Sequence, residues 1–312
     1  MRPERLTADA SARIAGVRVG IVDVGANTVR LLVATRHEGQ RLVPLREERV
    51  QLGLGEEVER TGELSEEKLE ETAATAATRV RRARKLHCSA IEVLVTSPGR
   101  QARNGSELVS RLAEATGAPT RVLTAQEEGA LAWRGAVAAA PDAPETVAVC
   151  DVGGGSAQIA LGSHSAGPAW VRSVDIGSLR LTKRAFREDP PSAEDIARAR
   201  LFIDEAFANL TPPLPQGAFA VGGTARALRR ITGDVLGPDT LADAVDKLQR
   251  RSARQLAKTY RLDRQRARTI TAGALVVAEI QRRLRVPLEI GKGGLREGAA
   301  LLLLDDVVSA TG

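Results

Sequence analysis

Apolar and polar positions along this chain alternate between two periods, and each switch marks an element. Runs of Val, Ile and Leu at Val17–Val22, Arg30–Thr35 and Leu42–Val50 predict three strands near the start. At Leu64-Ser-Glu-Glu-Lys-Leu69 the spacing turns helical. Ser65 is a favourable N-cap there, and Glu66 and Glu67 set acids at the positive end of the helix dipole. Lys68 stands where a capping box needs an acid, so a simple cap is expected. The helix reaches Lys85 through Arg79, Arg81, Arg82 and Arg84, a run that predicts a solvated basic face or, alternatively, a surface that guides a polyanion. Ile91–Val95 is a buried strand, followed by a loop with Pro98 and Gly99 from Thr96 to Asn104, a helix over Ser106–Thr116 and a short strand at Thr120–Leu123. Thr124 caps a helix through Ala139 with Glu127 and Glu128 in its first turn, and Pro141 to Pro144 mark a linker. Further strands fall at Trp170–Ser173 and Ala218–Val221, and further helices at Ala193–Asn209, Thr240–Thr259, Arg264–Leu284 and Leu295–Val308.

One segment occurs twice. An apolar strand ends in Asp23-Val-Gly25-Ala-Asn27-Thr28 and a second strand follows; the same layout returns at Asp151-Val-Gly153-Gly154-Gly155-Ser156. Both halves thus open with a hairpin and continue with helices and strands, which predicts mixed α/β domains rather than strict βαβ alternation. Two related domains, each with a glycine-bearing loop and one carboxylate, are the layout of a phosphate-transfer cleft between lobes.

Composition narrows the choice. The chain has 312 residues, which favours two domains, and 43% are apolar while only 2% are aromatic, so the cores are built from Val, Leu, Ile and Ala. No apolar run approaches a membrane span, and Met1 to Ala15 is polar without a signal-like core, so no membrane contact and a cytoplasmic location are expected. Cys88 and Cys150 lie in apolar surroundings and are expected to be reduced, mostly buried thiols. His37, His87 and His164 are scattered and form no metal or triad pattern. A net charge of +6 favours an anionic partner, and the scarcity of aromatic stacking platforms argues against nucleic acid.

The loops carry the candidate chemistry. Gly153, Gly154 and Gly155 let backbone N–H groups converge on an anion, and Ser156 adds a hydroxyl. A carboxylate such as Asp151 repels phosphate, so it makes sense beside a divalent cation. In the first loop Gly25, Asn27 and Thr28 offer donors beside Asp23, and Arg30 either adds a cation or points away along its strand. Arg100, just past a buried strand, suits bidentate phosphate binding. Hydrolysis also needs a group that holds water, and Glu127 and Glu128 are candidates of which at most one faces a site. Gly222-Gly223-Thr224 is a further strand-to-helix turn that could bind phosphate or be structural. The Gly291–Gly298 segment, with Lys292 and Arg296, could serve a long anion or act as a hinge.

Taken in order over nearly the whole chain, these motifs resemble the exopolyphosphatase/guanosine pentaphosphate phosphatase (Ppx/GppA) family of the actin-like ATPase superfamily. The resemblance rests on Asp23–Arg30, Gly62–Ser65, Thr96–Asn104, Glu127-Glu128, Asp151–Ser156, Gly222–Thr224 and Leu295–Gly298. It implies an α/β protein of two actin-like (ribonuclease H-like) domains with an interdomain active-site cleft, here taken as 1–132 and 133–312, with a last helix free to pack back on the first domain. It implies an Mg²⁺-dependent phosphohydrolase of phosphoanhydride bonds that removes terminal phosphate from inorganic polyphosphate. Guanosine pentaphosphate or a nucleoside triphosphate is the alternative substrate, and a non-catalytic polyphosphate or alarmone sensor the alternative role. By motif position Glu128 resembles the catalytic base, Asp151 the metal-associated carboxylate with Asp23 as a second, and Arg100 with the two hairpin loops the phosphate clamp; Gly223 and Thr224 join the substrate contacts, and a homodimer is among the expected assemblies. Two positions depart from the family pattern. Gln158 stands where an acid is usual, unable to act as a base but able to orient water, and Ala26 replaces a Ser, removing one hydroxyl donor.

Overall fold

A computed structural model describes residues 16–36 and 41–311, so the polar stretch Met1–Ala15 and His37 lie outside the described residues. The described residues group into two compact units, one of Met1–Thr124 with Arg296–Gly312 and the other of Ala125–Leu295.

In the first unit β1 (Arg18–Val24), β2 (Thr28–Arg36) and β3 (Leu42–Gln51) form an antiparallel meander, and β4 (Ala90–Val95) and β5 (Thr120–Val122) add in parallel on the other side of β1. The order is β3-β2-β1-β4-β5. β1 is central and buried along most of its length, hence its Val- and Ile-rich sequence. β3 is the edge, and its charged LREER stretch, with Pro44, protects it from pairing with another chain. Helices α1 (Leu54–Thr61), α2 (Glu66–Lys85), α3 (Ser97–Gln101) and α4 (Gly105–Thr116) complete it with α12 (Leu295–Thr311), all but the first residue of which belongs to this unit. Ser65 caps α2 as expected, its Oγ accepting from Lys68 N at 3.3 Å. The basic run of α2 is largely tied down locally: Arg79 and Arg82 reach Glu48 at 2.5 and 3.3 Å, and Arg84 donates to the Thr116 and Gly117 carbonyls. Arg81, Arg82, Arg84 and Lys85 nevertheless stay exposed, so the run is a solvated basic face.

The second unit repeats the plan. β6 (Thr146–Val152), β7 (Ala157–Ser163) and β8 (Gly167–Val174) are antiparallel, and β9 (Gly217–Val221) and β11 (Leu288–Ile290) continue in parallel from β6, with β10 (Val235–Leu236) at the end. The order β10-β11-β9-β6-β7-β8 contains the same five-strand arrangement as the first sheet. The helices are α5 (Ala125–Ala138), α6 (Ser178–Ala185), α7 (Ala193–Phe207), α8 (Gly222–Thr232), α9 (Pro238–Gln249), α10 (Ala253–Tyr260) and α11 (Arg264–Leu284). Pro141–Pro144 joins α5 to β6 inside this unit. The helix expected over Thr240–Thr259 is two helices. Ser252 and Gln255 form a capping box, with Ser252 N donating to Gln255 Oε1 at 2.8 Å and Gln255 N to Ser252 Oγ at 3.3 Å, so a new helix starts where apolar spacing alone runs on. Among the described residues no helix is long and apolar enough to cross a membrane.

Asp195, 1% exposed near the start of α7, organises the preceding loop. Its carboxylate accepts from the amides of Arg187 and Glu188 at 2.8 and 3.0 Å and from Arg198 at 2.7 Å. Burial pushes this carboxyl up, but the two amides and Arg198 outweigh it and hold it below its ordinary value. A depressed folded pKa gives stability that is complete above the ordinary Asp value and is lost as pH falls through the depressed one. Asp195→Ala is expected to cost about 1–2 kcal/mol at neutral pH, by removing the acceptor shared by two loop amides and Arg198. Urea melts at neutral and acid pH check it: the gap between wild type and variant should narrow on acidification, and a constant gap would count against this role.

Candidate functional site

The two hairpins share one pairing register. β1 and β2 pair Asp23 with Arg30 and Val24 with Val29; β6 and β7 pair Asp151 with Gln158 and Val152 with Ala157. Each loop closes with the same bond, Gly25 N to the Thr28 carbonyl and Gly153 N to the Ser156 carbonyl, both 3.0 Å. Arg30 and Gln158 therefore occupy equivalent places opposite the two carboxylates.

Each loop is held by a short helix that its sequence does not advertise. Ala26 O accepts from Gly55 N at 2.6 Å and Asn27 O from Leu52 N and Gly53 N at 3.0 and 3.2 Å, at the start of α1. In the second unit Gly153 O accepts from Ser178 N at 2.9 Å, and Gly154 O from Leu179 N and Arg180 N, both at 3.0 Å, at the start of α6. The N-cap residues, Gly53 and Gly177, offer no side-chain cap, so loop carbonyls satisfy the orphan amides of both helices. Gly177 is required there: a Cβ would lie 2.5 Å from the Gly154 carbonyl. In a planar trans peptide the N–H points opposite to the C=O. With these carbonyls turned to α1 and α6, the N–H groups of Asn27 and Thr28, and of Gly154 and Gly155, face away from those helices. Each hairpin thus presents two successive amides in one direction, an arrangement that suits an anion.

Asp23 sits at the end of β1. Burial pushes its carboxyl above the ordinary value, Arg30 and Arg296 draw it down, and Glu297 raises it. Arg30 does not turn away from the site: its Nε donates to Thr28 Oγ1 at 3.1 Å, on the side of its strand that acts on Asp23. Arg296, 7% exposed and 3.6 Å from Glu47, is the site residue that sequence spacing left among several options; its place in Leu295-Arg-Glu-Gly298 is the signal. Arg100 donates through Nη1 to the Leu123 carbonyl at 2.7 Å, which ties α3 to the end of β5.

In the second unit Asp151 ends β6, and Gly222 presses against it. Gly222 has φ 81°, and a Cβ there would lie 2.0 Å from Asp151 Oδ1, so no larger residue leaves the carboxylate where it is. Gly223 follows in the first turn of α8. Thr224 is fully buried, its hydroxyl donating to the Val152 carbonyl at 2.7 Å and accepting from Arg266 at 3.1 Å. It braces the loop from beneath. Cys150 is buried, and burial together with neighbouring Asp151 pushes its thiol up to about 12, as an inert core thiol requires. Cys88, half-buried, is likewise pushed up by burial to about 11.

Glu128 lies half-buried in the first turn of α5, and the next residue, Gly129, meets β7. A Cβ on Gly129 would lie 2.6 Å from Val171 and 3.4 Å from Gln158, so glycine lets this turn sit against the strand that carries Gln158. Gln158 is 2% exposed, and its Nε2 donates to Ser156 Oγ at 2.9 Å and Ser173 Oγ at 3.2 Å. Glu128, Asp151, the glycine loop and Gln158 thus all belong to one unit. The Gly291–Gly298 segment is a packing device at Gly293, where a Cβ would lie 1.9 Å from the Gly135 carbonyl of α5.

A duplicated α/β frame with paired amide-lined loops, each beside a carboxylate, defines a phosphate-handling protein of the actin-like class. The profile of the Ppx/GppA phosphatase family matches residues 32–307, and the chain belongs to that family. It is 29% identical to exopolyphosphatase 1 of Mycobacterium tuberculosis over 95% of this chain and 90% of that one. It is 30% identical to exopolyphosphatase 2 of the same organism over 92% and 98%. The crystal structure of the Aquifex aeolicus family member superposes with a TM-score of 0.80 at 26% identity, covering 95% of this chain and 99% of that one. The fold class and the phosphohydrolase class expected from the sequence both stand.

Proposed function

We propose that the chain is an exopolyphosphatase that releases terminal phosphate from inorganic polyphosphate by attack of water. The observation that carries this reading is the second unit's loop, whose Gly154 and Gly155 amides are aimed by α6 while Asp151, Gln158 and Glu128 gather on the adjoining strands and helix. The loop amides and the Ser156 hydroxyl bind the oxygens of the terminal phosphate, where charge is spread in the transition state. Glu128 accepts the proton of the attacking water. Gln158, with both amide hydrogens given to serines, offers its carbonyl oxygen as a second acceptor for that water. The first unit has its own cradle in Gly25, Asn27 and Thr28, with Arg30 and Arg100 as its phosphate donors.

Mg²⁺ is the proposed cofactor. No group of three or more His, Cys, Asp or Glu side chains comes together among the described residues. A single carboxylate beside a phosphate cradle fits Mg²⁺, which binds through one or two carboxylates, substrate phosphates and water. The space that glycine at 222 leaves around Asp151 Oδ1 keeps that carboxylate in place. Asp151 would hold the ion, with Asp23 as the corresponding residue of the first unit, and the ion would offset the charge of the phosphate oxygens.

Phosphate release from long-chain polyphosphate, guanosine pentaphosphate and ATP, with Mg²⁺ and with EDTA, tests the reading. The highest kcat/KM is expected with polyphosphate, lost in EDTA and restored by Mg²⁺. Faster release from guanosine pentaphosphate or ATP would move the substrate to the nucleotide, and tight binding of polyphosphate without release would make the chain a sensor.

A further inference from the structure

Gln158 is buried behind the loop, and its neighbours decide what the loop presents. It pairs with Asp151 on one side and with Ser173 of β8 on the other. An amide nitrogen carries two hydrogens and accepts none, so the bonds to Ser156 and Ser173 use both. In each bond the serine oxygen is the acceptor, and the hydroxyl keeps its own hydrogen on the side away from Gln158. Ser156 is 4% exposed and closes the amide-lined loop. Among the described residues its hydrogen has no protein acceptor.

We propose that Ser173 and Gln158 form a positioning relay that turns the Ser156 hydroxyl outward, so that its hydrogen joins the loop amides in binding the substrate's terminal phosphate. This rests on the phosphohydrolase reading above. Ser173 anchors the second amide hydrogen and so fixes which face of the Gln158 amide meets Ser156. A carboxylate at 158 has acceptors only, and would draw the Ser156 hydrogen inward, away from the phosphate.

The test is a set of KM and kcat measurements on polyphosphate. Ser173→Ala is expected to raise KM about threefold to tenfold, the scale of one ordinary hydrogen bond weakened, with kcat changed less than KM. Ser173→Thr, which keeps the acceptor, should restore it. Gln158→Glu should raise KM, because a carboxylate offers Ser156 and Ser173 acceptors only. Ser156→Ala should remove most of the Gln158→Glu effect, since the relay acts through that hydroxyl. An equal KM increase from Gln158→Glu with and without Ser156 would mean charge repulsion alone and would overturn the relay, as would an unchanged KM in Ser173→Ala. Absence of phosphate release by the wild type itself would instead sink the underlying reading, and the relay with it.

Discussion

Glu128→Ala is expected to lower phosphate release from polyphosphate by about 10²–10⁴-fold, the usual contribution of a general base. Polyphosphate binding should stay within a few-fold, because the loop amides and donors that hold the anion are untouched. Glu127→Ala is the comparison. The two acids are adjacent on a helix and project about 100° apart; Glu128 lies about 100° round the helix from Gly129, which meets β7, and Glu127 about 160°. Glu127→Ala should therefore cost far less than Glu128→Ala. Single-turnover phosphate release and equilibrium binding on both variants make the measurement. Full activity in Glu128→Ala would remove it as the base, and equal losses in the two variants would point to damage of α5 rather than to lost proton transfer.

The second large effect is expected at a residue with no functional group. Gly222→Ala places a Cβ 2.0 Å from Asp151 Oδ1, which forces the carboxylate to move. Activity is expected to fall about 10–100-fold, the usual loss when a metal-associated ligand is displaced, with a higher Mg²⁺ requirement. The left-handed backbone, φ 81°, adds a stability cost of about 1 kcal/mol. Gly233→Ala separates the two terms: it shares a positive φ of 86°, but nothing lies within 4 Å of its Cβ. Its backbone, with ψ −158°, is one that only glycine adopts readily, so it should melt lower by at least as much and keep its activity. Activity and Mg²⁺ dependence unchanged in Gly222→Ala would show that the position of Asp151 does not matter to the reaction.

Much of this architecture can be read along the chain. α11 has the bounds that its apolar spacing predicts, and Ser65 caps α2 because a side-chain oxygen next to a helical run is a local signal. The duplicated hairpins are equally visible, since an apolar strand, an Asp and a small-residue turn are written in consecutive positions. α1 and α6 are not. Both have eight residues and follow an N-cap glycine, and amides at their starts are bonded to carbonyls more than twenty positions earlier in the chain. Nothing local marks such a helix. The break between α9 and α10 was legible in Ser252 and Gln255, but the apolar period across it was continuous enough to hide it.

The site divides the same way. Sequence alone marked the candidate residues of a phosphate site: two glycine-bearing loops, the carboxylates Asp23 and Asp151, and an acid pair at the head of a helix. These follow from backbone freedom and charge, which are properties of the residues themselves. Tertiary structure decided direction. It turned the loop amides outward by bonding their carbonyls to α1 and α6, and it set Arg30 and Gln158 in equivalent places across from the two carboxylates. It brought Arg296 to act on Asp23, and it buried the Thr224 hydroxyl beneath the loop, bonded to Val152. Which way a peptide plane or a hydroxyl faces depends on partners distant in sequence, and only folding brings those partners together.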